Sequence, residues 1–360
     1  MIELSKKEIV SRKNLIFLTA RALFTWGTKH LSHTHVEIHD SIRKLKQENS
    51  VFLYAGLHKS LWETTGTIST LYLQKLPLPY PGMGDNLVKG KFFQAISKKV
   101  GLFIVKRPKT RREIIESARM LKNYTLNLMA HGVDGMVYPE GTRRGIPDTG
   151  KYGAFFPTAF EALLEYEKKK DEILSQYDYL SRYNSYIVPF NLDYSKVRED
   201  REMTKEIGAK PWTLHIFDFI KMVKDVGHVY ISFGKPINIR ENLDKNRKQL
   251  ADYTRGKCLQ LVKILPINIV SRSILDAYEN DKIKIKEIFH HISKNIEKLK
   301  HLKDRFRGFS IDEDPKDLLE KVSKYEKSFK TIDVKYLRLY RLYANYIRHY
   351  FENDKRTQDT

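Results

Sequence analysis

The run Val51-Phe-Leu-Tyr-Ala-Gly-Leu57, continued by His58-Lys-Ser-Leu-Trp-Glu63, decides how this chain is read. Seven uncharged residues describe a strand buried on both faces, of the kind found in the middle of a largely parallel sheet covered by helices. That strand delivers His58 at its carboxyl end. Helical pattern follows from Leu61 to Lys75 and is stopped by Pro77, Pro79 and Pro81. If the helix begins near Ser60, Glu63 falls in its first turn, within reach of the histidine ring. An imidazole can take a proton from an alcohol, and a carboxylate on its other nitrogen fixes the tautomer and stabilises the imidazolium. The pair needs no nucleophilic serine or cysteine. Taken alone, however, the spacing equally describes a surface histidine and glutamate that never meet.

Outward from this point, strands and helices alternate. Leu102 to Val105, Gly135 to Tyr138, Tyr186 to Leu192 and Val229 to Phe233 read as strands; Lys91 to Lys99, Arg111 to Ala130 and Phe155 to Lys170 read as helices. This alternation predicts an α/β fold with a mixed central sheet flanked by helices. After about residue 240, helical pattern dominates: Asn242 to Leu265, Ser271 to Arg305, Pro315 to Lys330 and Asp333 to Phe351, with a turn over Gly308 to Asp314. The expected organisation is an N-terminal helical segment over 1–35, an α/β domain over 36–242 and a C-terminal helical appendix over 243–360.

Composition narrows the partners. A formal net charge of +21 in 360 residues calls for an anionic partner: phosphorylated small molecules, an acidic membrane surface or nucleic acid. Residues 86–125 hold 11 Lys and Arg against 2 Glu. Cys258 is the sole cysteine, so an intrachain disulfide and a cysteine-based zinc site are excluded. No apolar run reaches the ~18 residues that suggest a membrane span. Asn14 to Gly27 comes nearest, interrupted by Arg21, and suits a helix lying in a membrane interface or packed on the body.

A second motif, Tyr138-Pro-Glu-Gly-Thr-Arg-Arg144, follows the Gly135 strand, where open α/β sheets bind ligands. Gly141 permits a close backbone approach, and Arg143 can grip a phosphate through two parallel hydrogen bonds. With this block in view, the chain resembles the glycerolipid acyltransferase family, whose pattern has four ordered blocks. His58 and Glu63 are similar to its histidine-x4-aspartate; Gly101-Leu-Phe-Ile-Val-Lys-Arg107, with an extra residue before the arginine, to its Gly-x-x-Phe-Ile-x-Arg strand; Tyr138 to Arg144 to Phe-Pro-Glu-Gly-Thr-Arg-Ser; and Ile187-Val188-Pro189 to its Val-Pro strand.

The resemblance implies an O-acyltransferase of phospholipid biosynthesis. His58 would be the general base and Glu63 its orienting partner, in place of the family's aspartate. Lys106, Arg107, Glu140, Gly141, Thr142 and Arg143 would form the acceptor-phosphate site. It further implies an acyl thioester, acyl-CoA or acyl carrier protein, as co-substrate, with no bound cofactor, metal or acyl-enzyme. Glycerol-3-phosphate or lysophosphatidate would be the acceptor, at the cytoplasmic side of an anionic membrane surface with which the protein associates peripherally. Gly84-Asp-Asn-Leu87 and Leu265-Pro-Ile-Asn-Ile-Val270 lean towards glycerol-3-phosphate, whereas Tyr138 leans towards lysophosphatidate.

Other readings accompany this one. The glutamate at 63 fits an impaired relative that only binds membrane surfaces. The basic balance and 21 tyrosines suit a nucleic-acid binder, although no recognition motif accompanies them, so no nucleic-acid partner is expected. His30, His33, His35 and His39 raise a metal site in which 35 and 39 share a helical face. Chemistry of other kinds lacks its motif: there is no Gly-x-Ser-x-Gly elbow, phosphate-binding Gly-x4-Gly-Lys loop or dinucleotide fingerprint.

Overall fold

The structure is a computed structural model and describes residues 33–60, 62–84, 102–105, 110–141, 153–177, 179–197, 200–204 and 227–352. Among these residues one eight-stranded sheet forms, from β1 (His33–Ile38), β2 (Ser50–Gly56), β3 (Tyr80–Gly84), β4 (Phe103–Val105), β5 (Gly135–Val137), β6 (Asn184–Tyr194), β7 (His228–Phe233) and β8 (Ile237–Asn238). Its order is β1-β7-β6-β2-β5-β3-β4, with β8 beside β6. The sheet is mixed. β2 runs parallel to both β5 and β6, β3 runs parallel to β4 and β5, and β1 runs parallel to β7. β6 pairs antiparallel with β7 and β8.

Helices flank the sheet: α1 (Ser41–Gln47), α2 (Trp62–Leu73), α3 (Arg111–Ala130), α4 (Thr158–Gln176) and the short α5 (Asp200–Met203). Beyond β8 come α6 (Arg247–Leu259), α7 (Pro266–Asp276), α8 (Ile285–Leu299), α9 (Pro315–Tyr325) and α10 (Leu337–Asn345). Every residue of β2 is buried, as its apolar run requires. A single hydrophobic cluster runs from Ile42 to Ile347, so side chains of the C-terminal helices share a core with the sheet.

Two expectations are corrected. The helix expected from Ser271 to Arg305 is broken after Asp276 by a two-stranded hairpin, β9 (Tyr278–Glu279) and β10 (Lys282–Ile283). Its turn residues Asn280 and Asp281 take φ of 50° and 59°. Asn and Asp tolerate the left-handed region that a two-residue hairpin needs, and this local preference overrides the helical pattern on either side. Likewise, residues 33–38 are a strand and not part of a helix, so His35 and His39 share no helical face. His33 and His35 instead stack against His228, with ring centroids 5.0 and 5.5 Å away. No group of three or more His, Cys, Asp or Glu among the described residues is arranged to hold a metal; His30 lies outside them.

The helix expected from Asn242 starts at Arg247, because Asn246 caps it: the Asn246 side chain accepts from the Gln249 N–H while Gln249 reaches back to the Asn246 N–H. Past α10, the His349 ring nitrogens are buried. Burial pushes this imidazole down to about 3, with the Lys59 charge adding to the effect. The unfolded chain therefore takes up a proton below about pH 6.5 that the folded protein refuses until about pH 3. The stability this group contributes is present above pH 6.5 and is lost as the pH falls through that window. Urea titrations from pH 7.5 to 4.5 should show a shallower acid loss for His349→Gln than for the parent; parallel curves would contradict this assignment.

Candidate active site

At the carboxyl end of β2 the backbone turns through Leu57 and His58 before α2 begins. Glu63, in the first turn of α2, is fully buried and points back to the turn. One carboxylate oxygen lies 2.7 Å from His58 Nδ1, and the other accepts the Lys59 backbone N–H at 2.7 Å. The carboxylate thus binds the ring and the turn together, and its charge is favourable at the helix N-terminus. The extra methylene relative to aspartate does not prevent the contact. His58 keeps a small opening to solvent, 18% of its side chain, so a substrate can reach the ring.

The residue after the histidine is held equally firmly. Gly56 pairs with Phe190, and continuing that register past the strand end sets Lys59 opposite Asp193. The Lys59 ammonium, fully buried, meets the buried Asp193 carboxylate at 2.5 Å. The other Asp193 oxygen accepts the Lys263 backbone N–H and the Asn191 side-chain amide, each at 2.7 Å. A buried ion pair of this kind is tolerable only because its remaining hydrogen-bonding capacity is filled. The Tyr346 ring, just beyond α10, lies 5.3 Å from the Lys59 ammonium and adds a cation–π contact.

Aromatic rings support the histidine from the other side. Tyr138, which follows β5, stacks on the His58 ring at 4.5 Å and 23°. Phe190 and Tyr138 then meet edge to face at 5.7 Å. Gly56 leaves room for it: a Cβ there would sit 2.5 Å from the Phe190 ring. The Tyr138 hydroxyl lies near Thr64 and Thr67, and burial, then the Glu63 charge, pushes its pKa well above the usual phenol value.

The backbone closes after Tyr138. The Gly141 N–H donates to the Tyr138 carbonyl at 3.0 Å, and the Phe156 N–H donates to the Pro139 carbonyl at 2.8 Å. Gly141 has φ of +68°, and the Phe156 ring would lie 3.0 Å from any Cβ placed there, so both conformation and space call for glycine. Glu140 is buried beneath this turn. His58, Glu63, Glu140 and Gly141 are therefore brought to adjoining carboxyl ends of β2 and β5. Lys106, Arg107, Thr142 and Arg143 lie outside the described residues.

Sequence reasoning missed Lys59, Asp193 and Phe190. The Lys59–Asp193 contact spans 134 positions and follows from strand register, for which no local motif exists. The two strands were each visible. Their alignment was not.

No protein-family model matches the chain. Among curated proteins it is similar to the glycerol-3-phosphate acyltransferase of Baumannia cicadellinicola subsp. Homalodisca coagulata, with 27% identity over 221 residues, 59% of this chain and 25% of that protein. The glycerol-3-phosphate acyltransferase of Pseudoalteromonas translucida is 25% identical over 245 residues, 65% of this chain and 27% of the relative. That of Hamiltonella defensa subsp. Acyrthosiphon pisum is 22% identical over 349 residues, 87% and 40% respectively. The chain thus spans between 25% and 40% of the length of these three relatives.

Lys59→Met leaves a buried carboxylate without its cation and should destabilise the protein by about 3–5 kcal/mol in urea unfolding. A loss below about 1 kcal/mol would mean that the pair is weakly coupled to folding.

Proposed function

Taking the chain as a member of the glycerolipid acyltransferase family, as its curated relatives support, we propose that it moves a fatty acyl group from a thioester to a hydroxyl of glycerol-3-phosphate. The observation that carries this reading is the 2.7 Å contact between His58 Nδ1 and the buried Glu63 carboxylate. With Nδ1 engaged, Nε2 is the nitrogen through which the ring takes the hydroxyl proton. The alkoxide oxygen attacks the thioester carbonyl, and the tetrahedral intermediate collapses with loss of the thiolate. The imidazolium returns its proton to that sulfur. Glu63 stabilises the imidazolium throughout, and no acyl-enzyme forms.

Lys106, Arg107, Thr142 and Arg143 are assigned to the acceptor phosphate together with Glu140 and Gly141. Lysophosphatidate shares the phosphate and the free hydroxyl and is the alternative acceptor. The donor is acyl-CoA or acyl carrier protein, and no bound cofactor is needed. The protein would work at the cytoplasmic face of a membrane as a peripheral enzyme; among the described residues no helix is long and apolar enough to cross one.

Thiol release from acyl-CoA, with glycerol-3-phosphate and lysophosphatidate offered separately, tests activity and acceptor together. His58→Ala should abolish the acceptor-dependent release; undiminished release would sink the mechanism. Glu63→Asp should keep much of the activity, while Glu63→Ala should lose about 10⁴-fold, the scale set by neutralising a carboxylate that orients a catalytic histidine. Arg143→Ala should chiefly raise the acceptor KM, and an unchanged KM would remove Arg143 from the phosphate site.

A further inference from the structure

α3 outruns the helix it packs on. Lys122 pairs with Glu161 and Glu165 of α4, each at 2.7 Å, and the two helices run in the same direction because both connect parallel strands. Glu161 is in the first turn of α4, whereas Lys122 is in the middle of α3. At a rise of 1.5 Å per residue, the stretch of α3 from Arg111 to Lys122 measures about 16 Å, and most of it projects beyond the start of α4. A capping box holds that projection in helical form: Thr110 accepts from the Glu113 N–H, and the Glu113 carboxylate accepts from the Thr110 N–H.

The projecting part carries side chains that water does not favour. Ile114 and Ile115 are 55% and 65% exposed, although Ile114, Ala118 and Lys122 lie on one face, which packs on α4 about two turns after Ile114. Arg111, Arg112 and Arg119 are exposed along the same arc, while Glu113 and Glu116 follow the opposite one. Phe156, 61% exposed, stands at the start of α4 and is bonded to the Pro139 carbonyl beside the candidate site. In a parallel α/β arrangement, helix starts and strand carboxyl ends face the same way. These apolar groups and arginines therefore share the end of the molecule at which β2 presents His58.

We propose that the projecting first half of α3 docks on an anionic lipid surface, its isoleucines entering the interface and its arginines meeting the headgroups. Exposed apolar side chains flanked by arginine match a bilayer, whose headgroups are charged and whose interior is not. An aqueous nucleic acid would reward the arginines and leave the isoleucines in water. The choice of lipid rests on the acyl-transfer reading, since its product is a lipid; vesicle binding and thiol release are measured separately, so that either can fail without the other.

The test is flotation of the full chain with vesicles of phosphatidylcholine alone or with a one-third share of phosphatidylglycerol. The parent should bind the anionic vesicles and bind the neutral ones far less. The double variant Ile114→Asp/Ile115→Asp should lose about tenfold or more of that binding, since interfacial affinity scales with buried apolar area and anionic attraction. Thiol release with a water-soluble short-chain acyl-CoA and glycerol-3-phosphate should stay unchanged. Equal flotation of variant and parent would overturn the proposal, as would equal binding to both vesicle types. Loss of self-association in the variant, with vesicle binding intact, would instead assign the patch to a second copy of the chain.

Discussion

The Lys59–Asp193 ion pair is the constraint on which the site depends. Two charges removed from water cost several kcal/mol each, so they persist only where geometry and neighbours are both fixed. Every element that fixes them is a different part of the chain: the β2–α2 turn, the far half of β6, the backbone at Lys263 and the Tyr346 ring. His58 is the residue immediately before this anchor. The histidine stays on a short, otherwise irregular connection because its neighbour is tied to the sheet on one side and Glu63 holds the turn on the other. The C-terminal helices are accordingly part of the machinery's support. They close over Lys59 and supply the low-dielectric surroundings that keep His349 neutral.

Much of the sheet was legible from residues alone, and the reason is burial. β2, β5 and β6 are apolar runs bounded by turn residues, and α3 covers the expected Arg111 to Ala130. Two other strands, β1 at one edge and β3 between β5 and β4, were harder. β1 alternates histidine and glutamate with Thr34, Val36 and Ile38, since one of its faces is solvated; in sequence it looks like a polar linker. β3 contains Pro81, which marks a helix stop at least as readily as a strand. In the candidate site, the His58–Glu63 spacing was visible because both residues belong to one turn. The ring stack of His58, Tyr138 and Phe190 joins the ends of β2 and β5 to the interior of β6 and depends on packing that no local pattern encodes.

Polar and apolar supports divide the work at His58. Glu63 sets the direction of one ring nitrogen through a charge-assisted bond, which is strong and specific in angle. Tyr138 restricts the plane of the ring by stacking face to face, and its electron-rich face also favours the imidazolium. Together they limit both rotation about the ring axis and tilt of the ring. A base limited in this way needs little reorganisation when a proton arrives, a condition that favours transfer over short distances.

The pairing of β1 carries a consequence for how the chain is made. Its partner in the sheet is β7, and paired residues such as Glu37 and Ser232 lie 195 positions apart. At ~5–20 residues per second, a ribosome takes about 10–40 s to supply β7 after β1 has been made. Throughout that interval β1 has no sheet to join. Its alternation of His33, His35 and Glu37 with modest apolar residues keeps such a waiting strand soluble, in the way that charged edges discourage pairing with other chains. The first strand synthesised among the described residues therefore waits for β7, the last but one in the eight-stranded sheet, before it has a partner to pair with.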